Sequence, residues 1–447
     1  MKRVLLISPP SLNNFLDRFF RHIAGQTGVS IPLAYLSSYL RQHRIEVSIC
    51  DANYTDLDMT KTLHEIDRIK PDILAISAMF PQISITNELL GKINPDIKTI
   101  IGGPFSVTPA DLHVLQRYPN IKTVCRGEGE KTLLEFVNEK PINSINGLSY
   151  CSSGKIKQNP ERELIKDLDE LPYPAWDLMP DTDDVGFIIS SRGCPFPCTF
   201  CTTSKLFGKR VRYHSSNRVI NELIWLNREL NKKHIVFLDD CFILNRQRVL
   251  DICDGILQND LCFDWDANAR ADLLDEEFLS RMYETGLRFL LIGVETGDTN
   301  ILKKYKKLEQ TKNIIRAFKL CRDTGVETLA GVLIGPYDTR KSILKTVSLL
   351  QKIRADIVVL QFLTPEIGTE IFEKMEKENR ILTYDFDLYD HLHITYKPYN
   401  LSISEMRMWH TMATLWSNLR PNAVLKNRDR YMKILSFALN EIKFSLF

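Results

Sequence analysis

Residues 185–201 read VGFIISSRGCPFPCTFC: an apolar run, then a loop bent by Pro195 and Pro197 that carries Cys194, Cys198 and Cys201. A short apolar run bounded by turn formers reads as a strand buried on both faces. Five more such runs follow, near 234–240 (HIVFLDD), 263–269 (FDWDANA), 288–295 (RFLLIGVE), 327–335 (ETLAGVLIG) and 355–363 (ADIVVLQFL). Stretches of helical period succeed the six runs, near 216–231, 245–258, 275–285, 311–324, 339–353 and 368–378. Six βα units over 185–385 predict a parallel TIM-type barrel, complete or partial, whose chemistry lies at the carboxyl ends of its strands. The three cysteines stand at such an end.

Upstream, runs at 2–8, 45–51, 72–78, 98–103 and 121–127 alternate with helical stretches near 32–43, 60–69, 83–93, 108–117 and 129–138. This α/β pattern predicts a doubly wound, Rossmann-like parallel sheet over 1–158, closed by a hairpin near 145–158. Ligands of such sheets sit beyond the carboxyl ends of the strands. Those ends carry Ser8-Pro9-Pro10, Ser77, Gly102-Gly103-Pro104 and Arg126-Gly127-Glu128-Gly129-Glu130. Each motif alone reads as a tight turn; together they outline a crevice where backbone approaches a bulky ligand. Residues 159–184 form a proline-bearing linker with Leu171-Pro-Tyr-Pro-Ala-Trp176. The final segment, 386–447, reads as a small helical appendage rich in aromatics: Trp409, Trp416, Tyr431, Phe437, Phe444 and Phe447.

The chain has 447 residues, 44% hydrophobic and 26% charged, with a formal net charge of +2. That balance suits an ordinary globular protein and argues against a broad nucleic-acid or anionic-membrane surface. No apolar run reaches membrane-spanning length, and no signal-peptide pattern follows Met1, so a cytoplasmic location is expected. Of ten cysteines, seven are scattered singly and read as reduced core residues. The clustered three have the spacing of iron–sulfur ligands, and three thiolates leave one iron open for a chelating ligand. A zinc site completed by His214 is the alternative, which would make the protein a non-enzymatic, zinc-stabilised ligand binder.

The Cys-x3-Cys-x2-Cys spacing with Phe200 before the last cysteine resembles the signature of the radical S-adenosylmethionine (SAM) superfamily. That resemblance implies a partial (βα)6 barrel and a [4Fe–4S] cluster on Cys194, Cys198 and Cys201. The open iron would chelate SAM, whose reductive cleavage yields a 5′-deoxyadenosyl radical. Asp239 and Asp240, ending the second strand, resemble polar rim residues near cofactor or substrate, although helix capping explains them as well. Arg270 resembles the partner of the SAM carboxylate. Glu295 resembles the carboxylate that holds the SAM amine or ribose, and Gly331 and Gly335 resemble the strand that backs the adenine.

A doubly wound domain, a proline linker and a radical barrel in that order resemble the cobalamin-binding subclass. Ser8, Pro9, Gly102, Gly103, Gly127, Glu128 and Gly129 look like its sheet-edge motifs, implying a corrinoid in the crevice between domains. The Asp-x-His-x-x-Gly motif for a cobalt-binding histidine is absent after the first strand. Asp111-Leu-His113 imitates it inside a helix, Phe105 stands where the subclass frequently has histidine, and Glu366-Ile-Gly368-Thr369 replaces Pro-Gly-Thr. The expected function is a cobalamin-dependent radical SAM enzyme, C-methylating a small metabolite, natural product or peptide. The alternative within the superfamily is a cyclisation, rearrangement or oxidation, with or without cobalamin. A flavodoxin or ferredoxin is the expected reductant. The basic stretch Lys205 to Tyr213 could meet that donor, an anionic substrate or the corrin side chains. A methylthiotransferase is disfavoured, because the first domain has no clustered cysteines.

Overall fold

Alternate residues of the first strand feed two different cores. In β1 (Arg3–Ser8), Val4 and Leu6 pack into one cluster while Leu5 and Ile7 pack into another on the opposite face. A strand with successive side chains on opposite faces, apolar at every position, is buried on both sides. The structure is a computed structural model that describes residues 2–10 and 29–418. Its first sheet also contains β2 (Glu46–Asp51), β3 (Ile73–Ser77), β4 (Lys98–Gly102), β5 (Thr123–Cys125), β6 (Leu148–Ser152) and β7 (Lys155–Gln158), in the order β2-β1-β3-β4-β5-β6-β7. The first five strands are parallel, and the β6–β7 hairpin adds antiparallel strands at the edge. Strand order reverses between β1 and β3, the switch point at which a crevice opens.

The second sheet begins at β8 (Val185–Ile188). The two-residue strands β9 (Ser191–Arg192) and β10 (Arg212–Tyr213) form a small antiparallel pair beside it. It continues through β11 (His234–Phe237), β12 (Asp264–Ala269), β13 (Leu287–Glu295), β14 (Glu327–Ile334) and β15 (Ile357–Phe362). All neighbours are parallel in the order β15-β14-β13-β12-β11-β8, so six strands curve without closing, as a partial barrel does. Gly293, Gly331 and Val359 are in register, which puts Asn268, Leu291, Gly293, Gly331, Leu333 and Gln361 on one face. These six are partly accessible while the residues between them on β13 and β14 are buried, so this face is the lumen.

Residues 159–184 run between the sheets. Trp176 stacks on Phe187 of β8, and Asp177 pairs with Arg41 at 2.7 Å. The end of the described chain is helical, as expected, and packs on both domains. Phe386 and Tyr389 are buried in the core of the first domain beside Phe80, and the helix Ile403–Asn418 packs on β15. Asn418 of that helix bonds both the N–H and the carbonyl of Val358. Tyr431, Phe437, Phe444 and Phe447 lie outside the described residues. Among the described residues no helix is long and apolar enough to cross a membrane.

Candidate active site

The turn from β8 into the cysteine loop is held by a buried carboxylate. Asp239, just beyond β11, accepts the backbone N–H of Ser190 and of Ser191, each at 2.7 Å, and the Ser190 hydroxyl. Burial pushes Asp239 up to about 6. It therefore acts as a clamp behind the loop, not as a polar group on the rim and not as a cap; Asn245 caps the following helix. Asp240 is exposed and accepts from Thr203 at 2.8 Å, just past Cys201.

Gly193 opens the loop with φ +100°, where a Cβ would press on the carbonyl oxygens of Phe207, Gly208 and Arg210 at 3.1–3.2 Å. The loop then crosses the barrel mouth. The Thr199 N–H donates to the Tyr305 carbonyl and its carbonyl accepts from Ile371, both at 3.0 Å, while Phe200 meets the Tyr305 ring edge-on at 5.5 Å. Cys194, Cys198 and Cys201 are free and partly accessible. Burial raises all three thiols, Cys201 to about 11, and Arg270 and Lys307 oppose that rise at Cys194 and Cys198.

Three free, partly accessible thiols on one loop are the kind of donor set that an iron–sulfur cluster takes. Among the described residues no group of three or more His, Cys, Asp or Glu side chains is drawn together tightly enough for one metal ion. A cubane takes each thiolate on a different iron, so its ligands stand farther apart. His214 does not join the cysteines: its Nδ1 meets Asp169 at 3.1 Å, and burial lowers it to about 4. Cys241 is the further thiol near Cys194, but it is enclosed in the barrel core, where burial pushes it to about 12.

Beside the loop stands a buried set of charges. Arg270 stacks on Phe196 at 3.6 Å from the ring centre. Its Nε and Nη2 donate to Asp272 at 3.1 Å, Nη1 donates to the Lys307 carbonyl at 3.0 Å and Nη2 to the Leu308 carbonyl at 3.3 Å. Four of its five N–H groups are thus engaged, which fixes the guanidinium against the loop. Glu295 lies at a bulge ending β13, in left-handed backbone at φ +59°, and accepts from Lys307 at 2.6 Å. A Cβ on Gly293 would come within 2.7 Å of the Lys307 Nζ, so glycine there makes room for the pair. Lys307 is flanked by Lys306 and Leu308, both also at positive φ. Backbone strain of this kind persists where surroundings over-determine it, commonly at functional sites.

Gly331 borders open lumen: a Cβ there would meet only backbone atoms, at 3.9–4.0 Å, so its strand face is free for a flat group. At Gly335 a Cβ would overlap the Tyr305 hydroxyl, and the Gly335 N–H donates to Asp338 at 2.8 Å. The small residue there serves the packing of Tyr305.

The first domain reaches the same loop through its Arg126–Glu130 motif. Glu128 accepts from Arg192 at 2.9 Å, from Arg212 at 2.9 and 3.0 Å, and from the Ile165 N–H at 2.7 Å. Glu130 accepts from Arg192 at 2.6 Å; burial alone would push this carboxyl up, but Arg192 holds it below the usual carboxylate range. Arg192 directly precedes Gly193-Cys194, and Arg212 closes the loop on β10. Glu128 thus engages both oxygens across the domain junction and is a clamp on the cysteine loop, not the cofactor contact that its motif suggests.

Elsewhere at the switch point the Pro9 carbonyl accepts from Gln82 at 2.8 Å, tying the end of β1 to the end of β3, and Ser8 is buried. Gly103, at φ +136°, lets the end of β4 close on the Ala78 carbonyl, whereas Gly127, at φ +70°, faces open space. At Gly102 an added Cβ would meet Cys125 and at Gly129 the Leu36 side chain, and the Gly102 carbonyl accepts from the Ala78 N–H at 2.9 Å. Asp111 is fully buried against Ser149 and Gln158, His113 stacks on Tyr384, and Phe105 is enclosed in the core. The imitation of a cobalt-ligand motif is structural.

Sequence patterning missed Lys307, Arg192 and the Tyr305 carbonyl as supports of the loop. Single charges between apolar positions gave no signal except the place of Lys307 in Lys303-Lys-Tyr-Lys-Lys307.

Comparison with known proteins gives the family. Residues 188–350 match the Radical SAM superfamily and residues 20–137 match the B12 binding domain. An uncharacterized methyltransferase of Pyrococcus horikoshii, PH0819, is 32% identical over 440 residues, covering 95% of this chain and 94% of its own. An anaerobic magnesium-protoporphyrin IX monomethyl ester cyclase of Rubrivivax gelatinosus is 27% identical, covering 82% and 69%. The solved cobalamin-dependent radical enzyme OxsB, with aqua-cobalamin and SAM bound, superposes with a TM-score of 0.75 at 21% identity over 100% of this chain and 72% of its own. The methyltransferase TsrM of Kitasatospora setae superposes with 0.70 at 18% identity, covering 84% and 78%. With a relative that similar along nearly its whole length, the chain belongs to the radical SAM superfamily, in the group that joins a B12-binding domain to the radical SAM domain.

Proposed function

We propose that the protein methylates an unreactive carbon of a small molecule or peptide, with a corrinoid as methyl carrier, in the reducing cytoplasm. The observation that carries this reading is the Glu128–Arg192–Arg212 clamp, which fixes the corrinoid-type domain directly on the stem of the cysteine loop. With the cluster held on that loop and a corrinoid in the crevice of the first domain, the clamp would keep the two cofactor-bearing parts adjacent. PH0819, named a methyltransferase, aligns with both domains together, which supports the same outcome.

When bound, the cluster supplies the electron that cleaves SAM, and the corrinoid carries the methyl group. Cys194, Cys198 and Cys201 provide the thiolates, and Arg270 and Lys307 favour their anionic form. Glu295 offers a carboxylate to the SAM ammonium, held in place by Lys307 until then. Gly331 leaves the lumen wall bare for the adenine. Asp239 holds the loop stem in register throughout.

Anaerobic reconstitution followed by iron, sulfide and corrinoid analysis tests the assignment. Reduction with SAM is expected to yield 5′-deoxyadenosine together with S-adenosylhomocysteine once a substrate is supplied. Cys198→Ala is expected to lose the cluster and all SAM cleavage; cleavage retained in that variant removes Cys198 from the ligand set. Tight corrinoid binding with 5′-deoxyadenosine but no S-adenosylhomocysteine would replace methyl transfer by a radical cyclisation or rearrangement, the class named in the Rubrivivax relative.

A further inference from the structure

A continuous series of aromatic rings leads from the cysteine loop to the surface. Phe200, the neighbour of Cys201, meets Tyr305 at 5.5 Å between ring centres. Tyr305 meets Tyr337 at 5.8 Å, and Tyr337 stacks on Tyr399 at 5.1 Å and 16°. Tyr305 is fully buried, Tyr337 is 8% exposed and Tyr399 is partly exposed, so the series rises to solvent. Cations gather over its outer end. Lys304 and Lys374 lie 4.7 and 5.0 Å from the centre of the Tyr337 ring, and Lys374 and Arg380 lie 5.5 and 3.9 Å from that of Tyr399.

Lys303, Lys304 and Lys374 are exposed, and among the described residues none of them stands within ion-pair distance of a carboxylate; Lys374 donates to the Tyr337 hydroxyl at 3.3 Å, and the Tyr399 hydroxyl donates to Glu378. Arg380 pairs with Glu378, and Lys306 with Glu370. The patch therefore keeps an excess of positive charge around an aromatic centre. Aromatic groups ringed by charge are the composition of a specific interface, and unpaired charges steer an oppositely charged partner. The backbone makes the same link, because Thr199 of the cysteine loop bonds to Tyr305 and Ile371, which lead into these lysine-bearing segments.

We propose that the face formed by Lys303, Lys304 and Lys374 around Tyr337 and Tyr399 docks an acidic one-electron carrier, a reduced flavodoxin. This assignment rests on the proposed radical chemistry, which needs an electron from outside. The carrier's flavin hydroquinone is oxidised by one electron to the semiquinone, and the oxidised cluster takes up that electron. No proton has to travel along the rings, which stay closed-shell and provide contiguous contact.

The test uses the reconstituted full-length protein and an acidic flavodoxin at low ionic strength. The Kd and its salt dependence are measured by titration, and cluster reduction is followed by stopped-flow absorbance. The triple variant Lys303→Glu, Lys304→Glu, Lys374→Glu is expected to bind flavodoxin at least tenfold more weakly and to lose the salt dependence. Its cluster content, Tm and reduction by dithionite are expected to match the parent. Tyr399→Leu is expected to weaken flavodoxin binding a few-fold and to leave reduction by dithionite unchanged; parental affinity in that variant would remove Tyr399 from the face. Unaltered flavodoxin affinity in the triple variant overturns the proposal. So does a loss seen instead in Lys205→Glu, Lys209→Glu, Arg210→Glu, which reverses the other basic stretch near the loop. Failure of dithionite to drive 5′-deoxyadenosine formation in the parent would refute the radical reading itself, independently of where the donor docks.

Discussion

His410 is enclosed between its helix and β15, with Nε2 3.1 Å from the Leu360 carbonyl and its ring tilted on Phe362 at 4.3 Å between centres. Burial disfavours the imidazolium and depresses its pKa to about 4. An unfolded chain binds the proton near the ordinary value of about 6.5. Stability is therefore complete above that pH and falls as pH drops from about 6.5 towards 4, because only the unfolded state is taking up protons there. Between pH 7 and pH 5 this one group costs about 2 kcal/mol by linkage. His410→Gln keeps a donor for the Leu360 carbonyl and removes the titration. Urea unfolding at the two pH values is expected to show the parent losing about 2 kcal/mol more than the variant; equal losses would mean that His410 takes up its proton in the fold as readily as in the unfolded chain. The same residue scale explains what could be read in the chain. Cys194, Cys198 and Cys201 are close in sequence, so their spacing alone announces shared chemistry. Arg270 and Glu295 stand at strand ends, where a lone charge after an apolar run is conspicuous. The Lys307 that pairs with Glu295 comes from a short stretch of helix and loop whose direction no periodicity reveals.

At the scale of elements, the five βα units of the first domain and the six of the barrel were legible because each repeats a change from apolar run to helical period. The bulge at Gly293–Glu295 and the helix Thr299–Lys304 were not, since one inserted residue and a six-residue helix are too short to show a period. Nor was the β9–β10 pair, whose four residues hold the stem of the cysteine loop. That stem depends on Arg192, whose guanidinium lies between Glu128 and Glu130 with all three side chains buried. Removing one member of a buried ionic set leaves uncompensated charge, at a cost of about 3–5 kcal/mol. The exposed Lys98–Glu139 pair provides the contrast, since solvent screens such a pair and its loss leaves no buried charge. Arg192→Met is thus expected to lower the unfolding free energy several times more than Lys98→Met in urea titrations. Similar losses for the two would show that Glu128 and Glu130 find other donors.

At the scale of the whole molecule, function requires that two cofactor domains keep one mutual orientation. The sequence shows both domains but not their docking, because the clamp joins residues 64 apart whose separate patterns are those of ordinary surface charges. Two of the seams between the domains stand at the loops that concern the cofactors. One is the carboxylate–guanidinium clamp at the cysteine loop. The other lies at the opposite end of the barrel sheet, where the loop after β15 inserts Ile367 into the core of the first domain. Gly368 follows it at φ +93°, and a Cβ there would stand 3.1 Å from the Val107 side chain and 3.3 Å from the Thr108 carbonyl. Both a strained backbone and a tight contact oppose any side chain at that position. Gly368→Val is therefore expected to wedge this seam open and to strain the bonds of the cysteine loop to Glu366 and Ile371, while its ties to Glu128 and Tyr305, which lie on other segments, hold it in place. Anaerobic reconstitution of that variant with hydroxocobalamin should then give parental iron and sulfide but a several-fold weaker hold on the corrinoid, read from retained corrinoid absorbance after gel filtration. If iron and corrinoid fall together, the two seams are one cooperative unit, and the separate support of the cysteine loop is refuted.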